Sequence, residues 1–366
     1  MRIWLIEPYF GGSHQAWAEG YVAHSDYDVE LLTLPARFWK WRMQGGAVTL
    51  AERATCLSGP PDAILASDML NLPAFLGLMG GRLGHVPVAL YCHENQLTYP
   101  VPPGEKRDLT YGMINWLSMV AADRVLFNSW YHLEAWFDEL PRMLKHFPDC
   151  SHLGHVDAVR AKARVMPVGC DLQRLDEAGP PERGEAPPRI LWNQRWEYDK
   201  APREFFNVLY AVIERYGVDF HVALAGRNAR QTAAEFETAR DRLGERVVHF
   251  GYAEPGAYAR LLRRADVVVS TAIHEFFGVS IVEAIYAGAF PILPHRLSYP
   301  EIIPPAHHAD CLYRDGEGLI ERLHWAVTHP EQARGVASKL RPTVAPFDWS
   351  EMAPRYDAAM EEMVGA

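Results

Sequence analysis

The sequence has little of three things: cysteine, positive charge and long apolar runs. Its five cysteines are far apart and show no CxxC spacing, which excludes a disulfide framework and predicts a reduced, cytoplasmic protein. Lys and Arg number 36 against 46 Asp and Glu, a formal charge of −10, so any contact with nucleic acid must depend on a local group of cations. No apolar run approaches the roughly 20 residues of a membrane span, and the amino-terminal sequence does not resemble a secretory signal.

The length and the pattern of apolar residues predict two α/β domains. A chain of 366 residues is longer than one hydrophobic core usually organises. Short apolar runs alternate with helix-length segments, which predicts parallel βαβ units and doubly wound, Rossmann-like sheets. The predicted strands are 2–6, 29–34, 63–65, 86–91, 124–128 and 163–167, followed by 189–193, 220–225, 247–251, 267–270, 290–293 and 311–313.

The composition also suggests where the domains divide. We place the first domain at 1–172 and the second at 189–345, joined by a hinge at 173–188 that is rich in Pro, Gly and acidic residues. The last segment, 346–366, is predicted to be a helix that packs back on the first domain. Two doubly wound domains form a cleft, and their ligands bind at the carboxyl ends of the strands.

Two cations follow the first strand of the second domain. Arg195 lies in the predicted loop and Lys200 at the start of the next helix, so both can meet an anion that also interacts with the helix dipole. A diphosphate fits this arrangement. The alternative is a pair of surface cations in a charged loop.

Two glutamates follow the strand that ends near Thr271. Glu275 precedes a predicted helix and Glu283 lies about two turns further along it, so the two carboxylates can contact different parts of one polyhydroxylated ligand. Gly278 lies between them and allows close approach of the backbone to a ligand. The alternative is that both glutamates only stabilise a helix N-terminus.

Together these motifs resemble the donor domain of retaining glycosyltransferases of the GT-B fold, family 4. The resemblance implies that Arg195 and Lys200 bind the diphosphate of a nucleotide-sugar, that Glu275 contacts the transferred sugar and that Glu283 contacts the ribose. Further donor-binding positions implied by the same motifs are Gly226, Arg227, Phe277, Gly278 and Val279.

In the first domain, polar residues follow several predicted strands. A Gly11-Gly12 loop after the first strand is expected to bring backbone amides near the donor phosphate, with His14 facing the cleft; a plain tight turn is the alternative. Another strand leads into four successive polar residues, His93, Glu94, Asn95 and Gln96. Asp68 and Asn71 follow a third strand, where helix capping is the alternative.

The amino-terminal motifs EPYFGGSH, LPARFWKWRM, SDMLNLP and HENQLTYP resemble the tRNA-queuosine α-mannosyltransferase family. This narrower resemblance implies transfer of mannose from GDP-mannose to the cyclopentenediol of queuosine in the anticodon of an aspartate tRNA. The acceptor contacts expected from it are His14, Asp68, Asn71, Glu94, Asn95 and Gln96, with queuosine-containing tRNA as the partner. The resemblance implies front-face attack, in which the leaving phosphate takes the acceptor proton. His93 is our candidate for contacting the sugar, or for stabilising the developing positive charge through its backbone carbonyl.

The segment around Arg37, Lys40 and Arg42 interleaves cations with aromatic residues. Unstacked anticodon bases can stack on such rings while cations contact phosphates, although an amphipathic surface element has the same pattern. We expect no metal cofactor, because no carboxylate motif for a divalent ion is evident. The competing hypotheses are a GT-B transferase with a lipid, polysaccharide or small-molecule acceptor, and a binding protein without catalysis.

Overall fold

A computed structural model describes the chain apart from residues 102–103, 105, 178, 180–186, 227–232 and 366. The chain divides into two compact units: unit 1 comprises Met1–Gly169 and Trp349–Ala366, and unit 2 comprises Cys170–Asp348. Each unit contains a fully parallel sheet with helical connections, which confirms the predicted fold class.

The sheet of unit 1 forms from the runs that the apolar pattern predicts. Its strands are β1 (Arg2–Phe10), β2 (Asp28–Pro35), β3 (Ala63–Ser67), β4 (Val88–Cys92), β5 (Arg124–Phe127) and β6 (Ala163–Val165), in the order β2-β1-β3-β4-β5-β6. The central strands β3 and β4 are buried along their whole length, as expected where helices cover both faces of a parallel sheet. Strand β1 runs four residues beyond its predicted end, because Phe10 pairs with Pro35 after an irregularity that begins at Glu7.

Helices connect the strands of unit 1, and three of them start at a polar side-chain cap. They are α1 (Ser13–His24), α2 (Trp39–Ala54), α3 (Leu72–Met79), α4 (Leu109–Ala121), α5 (Trp130–Leu144) and α6 (Val156–Ala161). Asn71, Asp108 and Ser129 accept hydrogen bonds from the first-turn N–H groups of α3, α4 and α5, which would otherwise lack partners.

Unit 2 repeats the architecture with a longer set of helices. Its strands are β7 (Arg189–Trp192), β8 (His221–Ala225), β9 (Val247–Gly251), β10 (Val267–Val269), β11 (Phe290–Pro294) and β12 (Leu312–Tyr313), in the order β12-β11-β10-β7-β8-β9. The helices are α7 (Arg174–Glu177), α8 (Pro202–Tyr216), α9 (Ala233–Leu243), α10 (Pro255–Arg264), α11 (Val279–Tyr286), α12 (Tyr299–Ile302), α13 (His308–Cys311), α14 (Gly316–Thr328) and α15 (Pro330–Val344).

The strand orders locate a binding crevice in each unit. In unit 1 the order reverses between β1 and β3, and in unit 2 between β7 and β10. Ligands of open α/β sheets bind outside the carboxyl ends of the strands at such reversals. The loops to examine are therefore those that follow β1 and β3 in unit 1, and those that follow β7 and β10 in unit 2.

The boundary between the units lies slightly before the predicted one. Residues 170–177 belong to unit 2, because the Asp348 carboxylate accepts hydrogen bonds from the N–H groups of Leu172 and Gln173 at 2.9 and 3.1 Å. Cys170 also forms a parallel bridge with Asp348. The segment predicted as a hinge therefore begins with helix α7 of unit 2, and most of its remainder lies outside the described residues.

The last helix, α16 (Trp349–Val364), packs within unit 1. Trp349 fits against two glycines: a Cβ atom added to Gly20 would lie 2.0 Å from its ring, and one added to Gly169 would lie 2.4 Å away. The Tyr21 hydroxyl donates to Asp357 at 2.7 Å. Among the helices of the described residues, none is both long and apolar enough to cross a membrane.

Candidate active site

The two predicted diphosphate ligands lie together beyond the end of β7, in different environments. Arg195 has a side chain that is 55% exposed and pairs with Glu197 at 3.1 Å. Lys200 lies in a short 3-10 turn just before α8 and is 6% exposed. Both cations lie in the segment that joins β7 to α8.

Lys200 is held by three acceptors. Its Nζ atom donates to the His274 carbonyl at 2.8 Å and lies 3.2 Å from both Asp199 Oδ2 and Glu275 Oε2. Burial opposes the charge, but the two carboxylates outweigh it and raise the pKa of Lys200. The loops after β7 and β10 are thus joined by a buried ion-pair network, which holds Glu275 beside Lys200.

Helix α11 begins directly beside Glu275. Gly278 is its N-cap with φ of 92°, a left-handed conformation that glycine adopts far more readily than other residues. The N–H groups of Ile281 and Val282 bond back to the Gly278 carbonyl, so those of Val279 and Ser280 have no partner within the helix. Such N–H groups favour an anion, and they belong to the loop that also carries Glu275.

Glu283 is buried and already satisfied by side chains. Its Oε1 atom accepts from Arg174 at 2.5 Å, and its Oε2 atom accepts from the Tyr258 hydroxyl at 2.9 Å. Burial raises the pKa of Glu283, while Arg174 and Tyr258 oppose that shift. A ribose hydroxyl at Glu283 must therefore share the carboxylate with these two donors.

The other predicted donor positions have different roles in the structure. Gly226 permits close approach of two loops, because an added Cβ atom would lie 2.2 Å from the Gln194 carbonyl oxygen. Phe277 is buried, and its ring packs edge-on against Phe347 with the centroids 5.1 Å apart. Arg227 lies outside the described residues.

In unit 1, three titratable side chains meet at the carboxyl end of β1. His14 Nδ1 lies 3.0 Å from Glu7 Oε2, His93 Nε2 lies 3.8 Å from the same oxygen, and the two imidazole centroids are 4.2 Å apart. Glu7 is fully buried within β1, where an ionised carboxylate requires partners. The structure thus brings together the predicted His14 and His93 and adds Glu7.

The two histidines of this cluster differ in charge. Burial opposes protonation of His14, but Glu7, with Asp68 and Glu94, outweighs it and raises the pKa of His14 to about 9. Burial and the charge on His14 lower the pKa of His93 well below its ordinary value. A charged and a neutral imidazole therefore lie side by side at neutral pH.

Asp68 links this cluster to the loop after β4. Its Oδ2 atom accepts from the Glu94 N–H at 3.1 Å, and burial raises its pKa to about 7. Within the described part of the chain, the other oxygen, Oδ1, is buried without a hydrogen-bond partner, and so is Asn95 Nδ2. Unpaired buried polar atoms are costly in a purely structural role, so these two atoms are candidates for contact with a polar ligand.

The other predicted positions in unit 1 take part in backbone hydrogen bonds or allow close approach of the backbone. Asn71 accepts from the Ala74 N–H at 3.2 Å, the capping role given above as the alternative. The Gln96 carbonyl accepts from Arg107 at 3.0 Å. Gly12 is the N-cap of α1 with φ of 58°, and a Cβ atom on Gly11 would lie 2.5 Å from the Ala36 side chain. Contact of the Gly11-Gly12 backbone with the donor stays a prediction.

The basic and aromatic segment forms the start of α2. Phe38, in a left-handed conformation with φ of 51°, is 79% exposed, and Trp41 is 60% exposed. Lys40 Nζ lies 5.6 Å from the centroid of the Trp39 ring, and Arg42 Nε donates to the Pro35 carbonyl at 3.1 Å. Arg37 is exposed. We define Arg37–Arg42 as the α2 patch.

Packed side chains connect the α2 patch to the polar cluster of Glu7, His14, His93 and Asp68. The Trp39 ring lies 4.8 Å from that of Tyr111, which packs in a small buried group with Met43, Met69 and Ile114. Tyr9 packs against the same group, and its ring lies 5.8 Å from that of His14.

Sequence reasoning missed several supporting residues. Asn128 donates to the His93 carbonyl at 3.2 Å, and His132 lies 3.2 Å from the Glu94 carbonyl through Nε2. Arg174 was missed as a partner of Glu283, and Asp199 was missed as a partner of Lys200. Glu7 was missed as well, although it carries a sequence signal, an acidic residue next to an apolar strand. The other roles depend on contacts between distant parts of the chain.

A metal ion is also geometrically conceivable at the polar cluster. In the described part of the chain, the ligand atoms of Glu7, His14 and His93 all lie within 4.8 Å of one another. Glu7 Oε2 and His14 Nδ1 are 3.0 Å apart, the distance of a hydrogen bond, and a metal ion bound there would replace that contact, because a metal ligand must be deprotonated.

Comparison with known proteins supports a two-part assignment. Residues 2–170 match the family described as tRNA-queuosine alpha-mannosyltransferase N-terminal, and residues 176–337 match glycosyl transferases group 1. A tRNA-queuosine alpha-mannosyltransferase of Drosophila melanogaster is 34% identical over 88% of this chain and 86% of its own length. A GDP-mannose:cellobiosyl-diphosphopolyprenol alpha-mannosyltransferase of Xanthomonas oryzae is 24% identical over 56% of this chain and 54% of its own length.

Solved structures show the same fold. Sucrose-phosphate synthase from Thermosynechococcus elongatus superimposes with a TM-score of 0.72 at 17% identity, covering 100% of this chain and 99% of its own. Structural neighbours of this kind are GT-B glycosyltransferases, which confirms the predicted fold. With the Drosophila relative above 30% identity over most of both chains, this chain belongs to the tRNA-queuosine alpha-mannosyltransferase family.

Proposed function

We propose that this enzyme transfers mannose from GDP-mannose to the cyclopentenediol of queuosine in the anticodon of an aspartate tRNA, with retention of configuration. The observation that carries the proposal is the junction of the loops after β7 and β10, where Lys200 bonds to Glu275 beside Arg195 and the start of α11. Two cations and free helix N–H groups fit a diphosphate, and a neighbouring carboxylate fits sugar hydroxyls.

The donor chemistry uses these groups to stabilise charge. The acceptor hydroxyl oxygen bonds to the anomeric carbon while the bond from that carbon to the diphosphate breaks, and the hydroxyl proton passes to the leaving phosphate. Negative charge grows on the diphosphate, where Arg195, Lys200 and the N–H groups of Val279 and Ser280 would stabilise it. The His93 carbonyl accepts one hydrogen bond from Asn128 and keeps a second lone pair for a sugar hydroxyl.

The acceptor side of the proposal is supported by the polar cluster of unit 1. A charged His14, a neutral His93 and Asp68, with its pKa near 7, offer both donors and acceptors to a vicinal diol. An unmodified guanine lacks those hydroxyls and would leave the buried polar atoms unpaired, which is an effective basis for discrimination. The α2 patch, with exposed rings and cations, would contact the anticodon loop.

Three finer points belong to the same proposal. GDP-mannose as the donor is supported by the name of the Xanthomonas relative. Metal-independent transfer is supported by the two cations that can balance the diphosphate charge. A cytoplasmic location is supported by the proposed acceptor, which is a tRNA.

The experiment is incubation of the purified protein with GDP-mannose and queuosine-containing tRNA, followed by nucleoside mass analysis. The matched control is the same tRNA lacking queuosine. We expect one added hexose on queuosine only. Product on both tRNAs, or on neither while vesicles with polyprenyl acceptors are glycosylated, would instead favour a GT-B transferase with another acceptor.

A further inference from the structure

A basic cavity outside the donor and acceptor groups lies at the carboxyl ends of β11 and β12. It has a volume of about 260 Å³ and is lined by His295, Arg296, Tyr313 and Arg314. The sheet order β12-β11-β10-β7 places it on the opposite side of the β10 loop from Arg195. The cavity and the donor cations therefore flank the same loop.

The fold fixes the walls of the cavity. The His295 N–H donates to the Tyr313 carbonyl at 2.7 Å, and the Tyr313 hydroxyl donates to the Ser270 carbonyl at 3.0 Å. Arg296 donates through Nε and Nη2 to the Ala272 carbonyl at 3.3 and 3.2 Å, and a guanidinium has five N–H donors in all. Arg296 is thus oriented by the donor loop and keeps donors for a further acceptor.

The chain reverses sharply just after Arg296. Leu297 adopts a φ of 61°, which is unfavourable for a residue with a Cβ atom. A strained backbone of this kind persists only where the surrounding structure imposes it.

The cavity carries positive charge that the chain does not neutralise. Over the described residues, Arg296 and Arg314 form no ion pair, whereas the acidic residues that follow Arg314 have other partners. Asp315 caps α14 through the Gly318 N–H at 2.8 Å, and Glu317 pairs with Arg215 at 2.6 Å. Burial and the charge of Glu204 raise the pKa of Tyr313, and Arg296 opposes that shift, so one carboxylate also acts on the cavity. The two arginines outnumber it, and planar guanidinium groups suit the oxygens of a phosphate.

We propose that this cavity binds a backbone phosphate of the tRNA next to the nucleoside that is modified. The inference rests on the proposed function, because it takes tRNA as the acceptor. A phosphodiester fits better than a donor phosphate, since the donor already has Arg195 and Lys200 on the other side of the β10 loop. Arg296, which bonds to Ala272 in that loop, would couple RNA binding to the loop that carries Glu275.

The test compares Arg296→Gln/Arg314→Gln with Lys145→Gln/Lys339→Gln, a control that removes two exposed charges without ion pairs elsewhere in the described chain. We expect the first variant to bind tRNA at least about tenfold more weakly, with a slope of log K against log salt smaller by about 1. GDP affinity by calorimetry should not change, and the control should match the parent. Unchanged tRNA affinity overturns the proposal, and so does an equal loss of GDP affinity, which would assign the cavity to the donor.

Two further measurements distinguish a tRNA phosphate contact from other causes of weaker tRNA binding. Arg296→Lys/Arg314→Lys keeps the charge, so it should keep the salt slope and recover part of the tRNA affinity. A misfolded Gln variant would be recognised by a melting temperature well below that of the parent, because losing two exposed charges at the surface changes stability little. If inorganic phosphate alone raises the melting temperature of the parent but not of the Gln variant, while tRNA affinity is equal, the site takes a free anion and the RNA assignment is wrong. Should the parent not mannosylate queuosine tRNA at all, the proposed function fails instead.

Discussion

Replacing each of the two proposed diphosphate ligands, Lys200 and Arg195, by alanine should have different effects on stability. Lys200 is 6% exposed and bonds to one carbonyl and two carboxylates, so Lys200→Ala leaves buried negative charge without a cation. Breaking a buried pair costs about 3–5 kcal/mol, and partial exposure of Glu275 favours the lower end. At about 3 kcal/mol the melting temperature of unit 2 should fall by roughly 6–12 °C.

Arg195→Ala should leave stability almost unchanged. Its side chain is 55% exposed and its pair with Glu197 is at the surface, where such pairs contribute about 0–1 kcal/mol. Its loss should appear instead in donor binding, because a charge-assisted contact is worth about 1.5–3 kcal/mol, or roughly 10- to 150-fold in GDP affinity.

The assay is thermal unfolding together with calorimetric titration of GDP at a temperature where every variant is folded. Arg203→Ala is the matched control: this cation starts α8 nearby, is 79% exposed and pairs with Glu235 at 2.7 Å, so neither quantity should change. Parent-like GDP affinity in Arg195→Ala would refute the diphosphate assignment. A parent-like melting temperature in Lys200→Ala would refute the role of the buried network.

Other predictions concern the sugar, the RNA and metal ions. Glu275→Gln should lose turnover without losing GDP affinity, and Glu283→Gln should lose GDP affinity more than turnover, as measured by kcat and calorimetry; interchangeable profiles would contradict this division. Joint replacement of Arg37, Lys40 and Arg42 by alanine should weaken tRNA binding in a salt-dependent way while hydrolysis of the donor continues, so unchanged tRNA affinity in a filter-binding assay would count against it. Chelation with EDTA should leave mannosyl transfer intact, and activity restored only by an added divalent ion would show that a metal is required.

The sequence predicted the fold well because strands follow from local patterns of apolar residues, which can be recognised without knowing the tertiary contacts. Each predicted strand is a short apolar run, and each appears in the structure with its ends shifted by a few residues. The largest difference is at β1, where the sequence pattern stops at Ile6 and pairing with β2 carries the strand on to Phe10. That extension places Glu7 inside the strand and not in a loop.

The parts of the site that were missed depend on contacts across long stretches of chain. Arg174 meets Glu283 from 109 positions away, and no spacing rule connects a residue before the second sheet with a helix near its end. Charge states are equally hidden, because His14 and His93 are the same residue type and differ only in burial and in distance from Glu7. The sequence can place such residues at strand ends, but their partners follow from the folded sheet.

The charge balance around Lys200 predicts that Glu275 influences donor binding, because Glu275 and the donor diphosphate would both interact with the Lys200 ammonium group. In the chain without donor, one ammonium group is shared between two carboxylates, so the network carries an excess of negative charge that opposes an incoming diphosphate. Glu275→Gln removes one competing charge, which should strengthen GDP binding while the contact to the sugar is lost. Binding and turnover should therefore change in opposite directions in this variant, whereas simple disruption of the site would lower both.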